Sequence, residues 1–268
     1  MKVQILAICL VAAVAMVAAE ASPVLLKDGN ATLTIEPYAK AGVFSWCVDG
    51  TNHLAQQGFW FRFEGMDYEE PLSALGLIGT QLSDTNTIID PCEDTLTAYY
   101  GDLCSFHVEV RYALQGGLAG SGTSDITEQI AFQNKTCNPL KLWFFQYADF
   151  DLRGTARDDT VWIQGGNTAI QTDPCHVMAE TVVTPMPCRF EANCYPATLN
   201  SLCDYTITVL NNDPGPKTGD ATWAFQWCLD IPAGGSALIS KDKHLVPEPA
   251  TMSLLALGAV SLLRKRRR

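Results

Sequence analysis

Apolar and polar residues alternate along most of the chain, so the dominant hydrophobic period is two residues. Residues 105–112 show this most clearly, because Phe106, Val108 and Val110 share one face of an extended chain while the residues between them are polar. The same pattern predicts further strands at 32–38, 42–48, 59–63, 95–100, 126–132, 140–147, 160–164, 177–184, 205–210, 222–229 and 236–240.

No stretch of a dozen residues in the body of the chain carries a helical stripe, and turn-forming residues separate many of the strands. We therefore expect an all-β fold, an antiparallel β-sandwich of the immunoglobulin-like or a larger two-sheet form. Residues 130–142, and the Pro/Gly turn at 231–236, resemble turns of bacterial extracellular sandwich domains. That resemblance implies architecture only.

The first 21 residues depart from this pattern. Lys2 is followed by an apolar run from Val3 to Ala19, and Ala19-Glu20-Ala21 fits the small-x-small rule for signal peptidase. We expect residues 1–21 to be a secretory signal peptide that forms a helix and is cleaved after Ala21. The alternative is a buried N-terminal helix, although such a helix normally carries a polar face. The body then covers residues 22–245.

The last residues, 246–268, have three parts: an extended Pro-Glu-Pro stretch, an apolar segment at 250–263 and a basic end. A fourteen-residue helix spans roughly 21 Å at about 1.5 Å per residue. It crosses a hydrocarbon core of roughly 30 Å only if the bilayer thins locally. Basic residues stay in the cytoplasm, which places the body outside. The basic residues are Arg264, Lys265, Arg266, Arg267 and Arg268.

This three-part tail resembles the PEP-CTERM sorting signal of Gram-negative-type bacteria. In that family an exosortase, a membrane-embedded cysteine transpeptidase, recognises the motif and processes the protein to the cell surface or extracellular matrix. The resemblance implies that Pro247, Glu248 and Pro249 form the recognition motif, that 250–263 is a transmembrane anchor before processing, and that the basic end is the stop-transfer signal. It also implies anchoring in the inner membrane before processing. An ordinary tail anchor that is never processed is the alternative.

Charge excludes one class of partner. Residues 22–245 contain 27 acidic and 12 basic side chains. An acidic body repels phosphate backbones, so we expect no sequence-independent binding of nucleic acid. The chain is 47% hydrophobic and 18% charged, which excludes intrinsic disorder and permits a core.

Nine of the ten cysteines lie in the body, a density typical of an oxidising compartment. Because nine is odd, at least one thiol remains, and spacing leaves the pairing open. Structural zinc is the competing interpretation, which the lack of any Cys-x-x-Cys in the body disfavours. The disulfide candidates are Cys92 with Cys104 across a hairpin, and short loops among Cys175, Cys188, Cys194 and Cys203.

Acidic residues after the strand at 140–147 suggest a ligand. Asp149 and Asp151 fall on one face of an extended chain, and the turn at Asp158 and Asp159 is expected to return to them. Carboxylates converging at a loop are what calcium requires, although the spacing is not that of an EF-hand. The alternative is a set of turn residues that pair with nearby arginines. No other cofactor is expected.

Motifs for enzymatic chemistry are missing from the sequence, which has no zincin motif, nucleophile elbow or phosphate-binding loop. His176 follows Cys175, but neighbours in a strand point to opposite faces. We therefore expect a non-enzymatic surface or matrix protein that contacts extracellular polysaccharide. The alternatives are a calcium-assisted carbohydrate-binding module and a hydrolase of unrecognised type.

Overall fold

Alternation along the chain produces strands throughout the body. The computed structural model describes residues 22–86 and 91–248. A short helix, α1 (Ala197–Cys203), and two 3-10 turns, Leu72–Leu75 and Leu152–Gly154, interrupt the strands. In chain order the strands are β1 (Val24–Asp28), β2 (Ala31–Glu36), β3 (Gly42–Val48), β4 (Thr51–Asn52), β5 (Gln56–Phe63), β6 (Glu70–Pro71), β7 (Leu77–Ser83), β8 (Thr95–Gly101), β9 (Phe106–Gly116), β10 (Ser124–Asn134), β11 (Leu140–Asp149), β12 (Asp159–Gln164), β13 (Thr168–Thr172), β14 (His176–Thr184), β15 (Arg189–Cys194), β16 (Lys217–Gly219), β17 (Ala221–Ile231) and β18 (Ser236–Pro247).

The strands form two sheets of nine. The first has the order β1-β2-β3-β5-β11-β17-β15, with β4 paired to β3 and β6 paired to β5. The second has the order β16-β12-β13-β14-β18-β10-β9-β8-β7. Strand β3 runs parallel to β5, and the other pairs within the described residues are antiparallel. The predicted all-β antiparallel sandwich is confirmed, in the larger two-sheet form rather than the seven to nine strands of an immunoglobulin domain.

The core lies between the sheets, where every second residue of each strand points inward. Trp223, Phe225 and Trp227 of β17 are almost completely buried there. Phe150 stacks on Trp223 with 5.1 Å between ring centroids and 13° between ring planes. Three aromatic residues on one strand face therefore build the core of the sandwich.

A second apolar cluster lies on the outer face of the first sheet. Trp60, Phe145 and Tyr147 are covered there by Leu202 of α1 and by Leu210. The prediction of a strand at 205–210 is wrong. This segment packs over the outer face of the first sheet, and its backbone amides form hydrogen bonds with side chains instead of with a neighbouring strand. The amide of Thr208 donates to the Glu69 carboxylate (2.9 Å), and that of Leu210 donates to the Gln226 side-chain oxygen (3.1 Å).

The remaining predicted strands are present, and most are longer than the alternation indicated. Strand β18 was predicted to end at 240 but continues to Pro247, two residues into the predicted tail. The strands that were not predicted are β1, β4, β6, β7, β13, β15 and β16. The signal helix at 1–21 and the anchor at 250–263 lie outside the described residues. Within the described ranges no helix is long and apolar enough to cross a membrane.

The disulfide in the described part of the chain joins Cys188 to Cys228, with Cα atoms 6.0 Å apart. The amide of Cys188 donates to the carbonyl of Gln226, so pairing of β15 with β17 brings the two cysteines together. Cys104 carries a thiol, so the predicted clip from Cys92 is not formed. Cys175, Cys194 and Cys203 also carry thiols, and Cys188 is paired with Cys228, so the short loops predicted among these four residues are not formed.

Candidate functional site

Three aspartates converge where β11 ends and β17 begins, at the ends of two neighbouring interior strands of the first sheet, and we call them the acidic rim: Asp149, Asp151 and Asp220. Asp149 ends β11, and Asp220 immediately precedes β17, whose residue Thr222 lies opposite Asp149. One carboxylate oxygen of each aspartate lies within 4.8 Å of the others. Antiparallel pairing of β11 with β17 therefore assembles the group from two separate parts of the chain.

Desolvation and mutual repulsion disfavour charge on the acidic rim. Asp149 is 5% exposed, and its Oδ1 has no hydrogen-bond partner. Its Oδ2 accepts a hydrogen bond from the Tyr147 hydroxyl (3.4 Å). Burial, and then the charges of Asp151 and Asp220, raise the pKa of Asp149 to about 7. Among the described residues no lysine, arginine or histidine forms an ion pair with the three carboxylates.

The predicted partners of Asp149 and Asp151 lie elsewhere. Asp159 is completely buried, and its Oδ2 accepts hydrogen bonds from the Leu152 amide (3.1 Å) and the Gln171 side chain (2.7 Å). Burial raises the pKa of Asp159 to about 7. Asp158 is exposed. The structure thus joins Asp149 and Asp151 to Asp220, and Asp159 secures the turn that follows β11.

A second set of charges lies between the sheets, and we call it the interior quartet: Glu128, Glu180, Lys241 and Lys243. All four are at most 1% exposed. The Lys241 ammonium contacts Glu128 and lies 3.1 Å from Glu180. The Lys243 ammonium lies 2.6 Å from Glu128 and 3.7 Å from Glu180. Two positive and two negative charges therefore cancel within the core.

Two glutamines of the opposite sheet complete this network. Gln57 donates to Glu128 (2.7 Å), and Gln146 donates to Glu180 (2.8 Å). Burial alone raises the pKa of Glu128, but Lys241 and Lys243 outweigh it and lower that pKa. The network joins the two sheets through hydrogen bonds, and its atoms are sealed from solvent.

A histidine pair lies beside the beginning of β14. The rings of His53 and His176 are 5.0 Å apart, and the His176 Nδ1 is 3.5 Å from Asp173. The Arg153 amide donates to His53 Nδ1 (3.2 Å), and the Arg153 guanidinium donates to the Cys175 sulfur (3.4 Å). Burial lowers the pKa of His53 to about 4. This arrangement gives the Cys175 thiol an arginine neighbour rather than the histidine base that a nucleophile pair requires.

A cavity of about 680 Å³ opens where β1 meets β9. Two of its acidic residues, Asp28 and Asp94, already hold the surrounding strands. Asp28 accepts hydrogen bonds from Asn86 (2.8 Å) and from the Gly116 amide (2.7 Å). Asp94 accepts from the amide of Thr85 (3.1 Å). These bonds assign Asp28 and Asp94 a structural role, and Asp125 also lines the cavity.

The outer face of the second sheet carries a mixed aromatic and polar row, which we call the outer row. Strand register places Trp162, Ile170, Ala179, His244 and Asp125 side by side across five strands. Trp162 is half-buried, and the exposed His244 forms an ion pair with Asp125. This face therefore presents an aromatic ring and, three strands away, a pair of hydrogen-bonding groups.

The sorting motif begins inside the fold. Pro247 ends β18 and lies opposite His176, and the amide of Glu248 donates to the Cys175 carbonyl (2.6 Å). Proline is tolerated there because the last residue of a strand need not donate to the ladder. Pro249 and the basic residues 264–268 lie outside the described residues. The recognition motif therefore starts directly at the edge of the folded body.

Sequence reasoning missed the interior quartet and Asp220. Lys241 and Lys243 alternate with the apolar residues Ile239 and Leu245 on the inward face of β18. A strand predicted to continue beyond 240 would have placed both lysines on the inward face, which is the signal that the sequence contained. The place of Asp220 depends on which strand lies beside β11, and no sequence pattern gave that pairing.

The fold is shared with proteins of known structure. A bacterial glucoamylase, solved with acarbose, aligns over 92% of this chain and 36% of its own length, at 7% identity and a TM-score of 0.55. A protein of Escherichia coli assigned as an aldose 1-epimerase aligns over 85% of this chain and 99% of its own, at 10% identity and a TM-score of 0.54. At these identities the likeness shows the fold alone, a large two-sheet sandwich.

The terminal segment is more specific. Residues 245–268 match the family model of the PEP-CTERM protein-sorting motif. The predicted sorting tail is therefore confirmed, and the match supports an exported PEP-CTERM protein that is an exosortase substrate. No curated protein matches the chain.

Proposed function

We propose that this protein is a non-enzymatic component of the bacterial cell surface or extracellular matrix, delivered there by exosortase processing. The sorting motif at 245–268 carries the proposal. The position of Pro247 and Glu248 supports it, since processing near this motif leaves the whole sandwich intact as the mature product. In this proposal the segment 250–263 holds the protein in the inner membrane until it is processed.

A non-enzymatic role fits the chemistry of the described residues. The interior quartet is sealed from solvent, so it cannot meet a substrate. The exposed Cys175 lies beside Arg153, and His176 turns to Asp173. Release of sugars from surface polysaccharides by the purified protein would instead favour the alternative, a hydrolase.

Intact-mass analysis of surface-extracted protein tests the processing. We expect a chain that begins after residue 21 and ends near Pro247-Glu248-Pro249. Glu248→Ala is expected to retain the tail and accumulate in the inner membrane, whereas Glu64→Ala, an exposed glutamate of the body, is expected to be processed normally. Recovery of residues 264–268 in most surface copies contradicts the proposal and favours an unprocessed tail anchor.

Carbohydrate binding is the second candidate, and the outer row favours it. Trp162 offers an aromatic face for stacking on a sugar ring, and the pair formed by Asp125 and His244 offers hydrogen bonds. The related folds belong to a glucoamylase solved with acarbose and to an assigned aldose 1-epimerase, which is consistent with a sugar ligand.

A glycan array with and without calcium tests this second candidate. Trp162→Ala is expected to abolish a signal that Trp143→Ala retains, because Trp143 lies on the other sheet beneath the Arg62 guanidinium, 4.0 Å from its ring. If no bacterial polysaccharide on the array gives a signal, carbohydrate binding is rejected and the purely structural role is the one that stands. Dependence of the signal on calcium is the further mark of a calcium-assisted module.

A further inference from the structure

The acidic rim has more negative charge than its surroundings balance. Asp149 is 5% exposed, its Oδ1 has no hydrogen-bond donor, and one of its carboxylate oxygens lies within 4.8 Å of oxygens of Asp151 and Asp220. A buried carboxylate oxygen without a donor has lost its hydration and gained no hydrogen bond in exchange, which destabilises the fold. Buried polar groups in folded proteins are normally satisfied, so this oxygen indicates a ligand.

The chemistry of the group selects the ligand. All three side chains offer carboxylate oxygens, and no sulfur or imidazole ligand from the described part of the chain belongs to the group. Hard oxygen ligands suit calcium, which accepts six to eight of them, in mono- or bidentate form, and tolerates irregular geometry. Asp151 and Asp220 are half-buried, so the open side of the group admits the water molecules that complete the coordination.

We propose that Asp149, Asp151 and Asp220 bind a calcium ion that ties the end of β11 to the beginning of β17. The raised pKa of Asp149 agrees with this, because a divalent cation relieves the same repulsion that a proton relieves. This site goes beyond the role proposed above, and it replaces the predicted partners Asp158 and Asp159 with Asp220.

The position of the site explains what the ion stabilises. Asp149 and Asp151 flank Phe150, whose ring stacks on Trp223 of β17 in the core. The carbonyl of Asp149 accepts from Ala55 (3.0 Å), and that of Asp220 accepts from Tyr195 (2.8 Å). A cation at the acidic rim therefore holds together four segments of the chain that meet at these strand ends.

Thermal unfolding of the purified protein in chelator and in calcium tests the site. At a free calcium concentration of about one hundred times the dissociation constant, we expect the midpoint of thermal unfolding to rise by about 5 °C. Terbium is a second probe, because the Tyr147 hydroxyl contacts Asp149 and its ring lies close enough to sensitise terbium emission. We expect emission that calcium displaces.

Asp220→Asn is the decisive variant. In chelator we expect the variant's midpoint of thermal unfolding to equal or exceed that of the unsubstituted protein, because one of the repelling charges has been removed. In calcium we expect it to lose the midpoint shift, with at least about tenfold weaker terbium binding. Asp230→Asn, at an exposed aspartate of β17, and Asp158→Asn are the controls. Both are expected to keep the midpoint shift and the terbium binding.

Two results overturn the proposal. One is an unchanged midpoint with calcium together with no terbium emission. The other is a calcium response that survives Asp220→Asn, or that Asp158→Asn abolishes, since the ion then lies elsewhere. Neither result affects the processing experiment, which concerns the tail.

Discussion

The interior quartet and the acidic rim both remove carboxylates from water, yet they solve the resulting problem differently. The quartet sets Glu128 and Glu180 against Lys241 and Lys243, so its charges cancel inside the chain. The acidic rim has three carboxylates and no basic partner among the described residues. The first group balances its own charges, whereas the second needs a proton or a cation from solution to do so.

This difference separates stability from binding. A neutral, fully buried network has nothing to offer a ligand, and its loss is expected to damage the fold. A group of unbalanced charges at the ends of two strands weakly destabilises the fold by itself, and the fold becomes more stable when an ion binds to the group. The most strongly buried charges of this protein are therefore structural, and the partly exposed ones are candidates for binding.

The largest expected effect comes from breaking the quartet. Lys241→Met leaves Glu128 and Glu180 facing one lysine, and we expect a loss of about 3–5 kcal/mol in the free energy of unfolding. Urea denaturation measures it. The charge-balanced double variant Lys243→Met with Glu180→Gln is expected to cost less, because it keeps one intact ion pair. An equal or larger loss in the double variant contradicts the role of charge balance.

His53 is the basic counterpart of the acidic rim, a buried base without a carboxylate in direct contact. Its pKa falls from 6.5 to about 4, chiefly because of burial. The unfolded chain binds the proton first, so this residue reduces stability as pH falls from about 6.5 toward 4. We expect His53→Gln to remove about 2 kcal/mol of that loss.

Urea midpoints at pH 7 and pH 4.5 measure the effect of His53. His244→Gln, at an exposed histidine, provides the matched control. The hypothesis fails if both variants show the same pH dependence as the unsubstituted protein.

Asp159 gives the smallest effect, with the opposite sign. Its pKa is raised to about 7, so the folded chain holds the proton more tightly and stability falls as pH rises from about 4 to 7. Asp159→Asn keeps an oxygen for the Leu152 amide and adds a donor. The full shift corresponds to about 4 kcal/mol, but Oδ1 of Asp159 has no partner, so the amide nitrogen placed there is an unsatisfied buried donor that offsets most of it. We therefore expect a gain of about 1 kcal/mol at pH 8 and none at pH 4. A loss at pH 8 would show that the ionised form is the better tolerated one.

The sequence predicted most of the fold because alternation is a local property. Strand β3 was predicted with its observed bounds, and β10 and β17 with small errors at the ends. The segment 205–210 has the same local pattern but covers a sheet instead of joining one, because Glu69 and Gln226 satisfy its amides. Two of the three residues of the candidate site were predicted, since Asp149 and Asp151 are two residues apart on one face of an extended chain.

By itself the sequence determined the class of fold and the sorting tail, because a period of two and a linear motif are written in consecutive residues. Tertiary structure alone decided the partners across strands: Asp220 rather than Asp159 beside Asp149, Cys228 rather than a loop cysteine beside Cys188, and two lysines enclosed with two glutamates. Each of these depends on which strands become neighbours and in what register. That choice is made by burial of the whole sandwich, and no local stretch of sequence contains it.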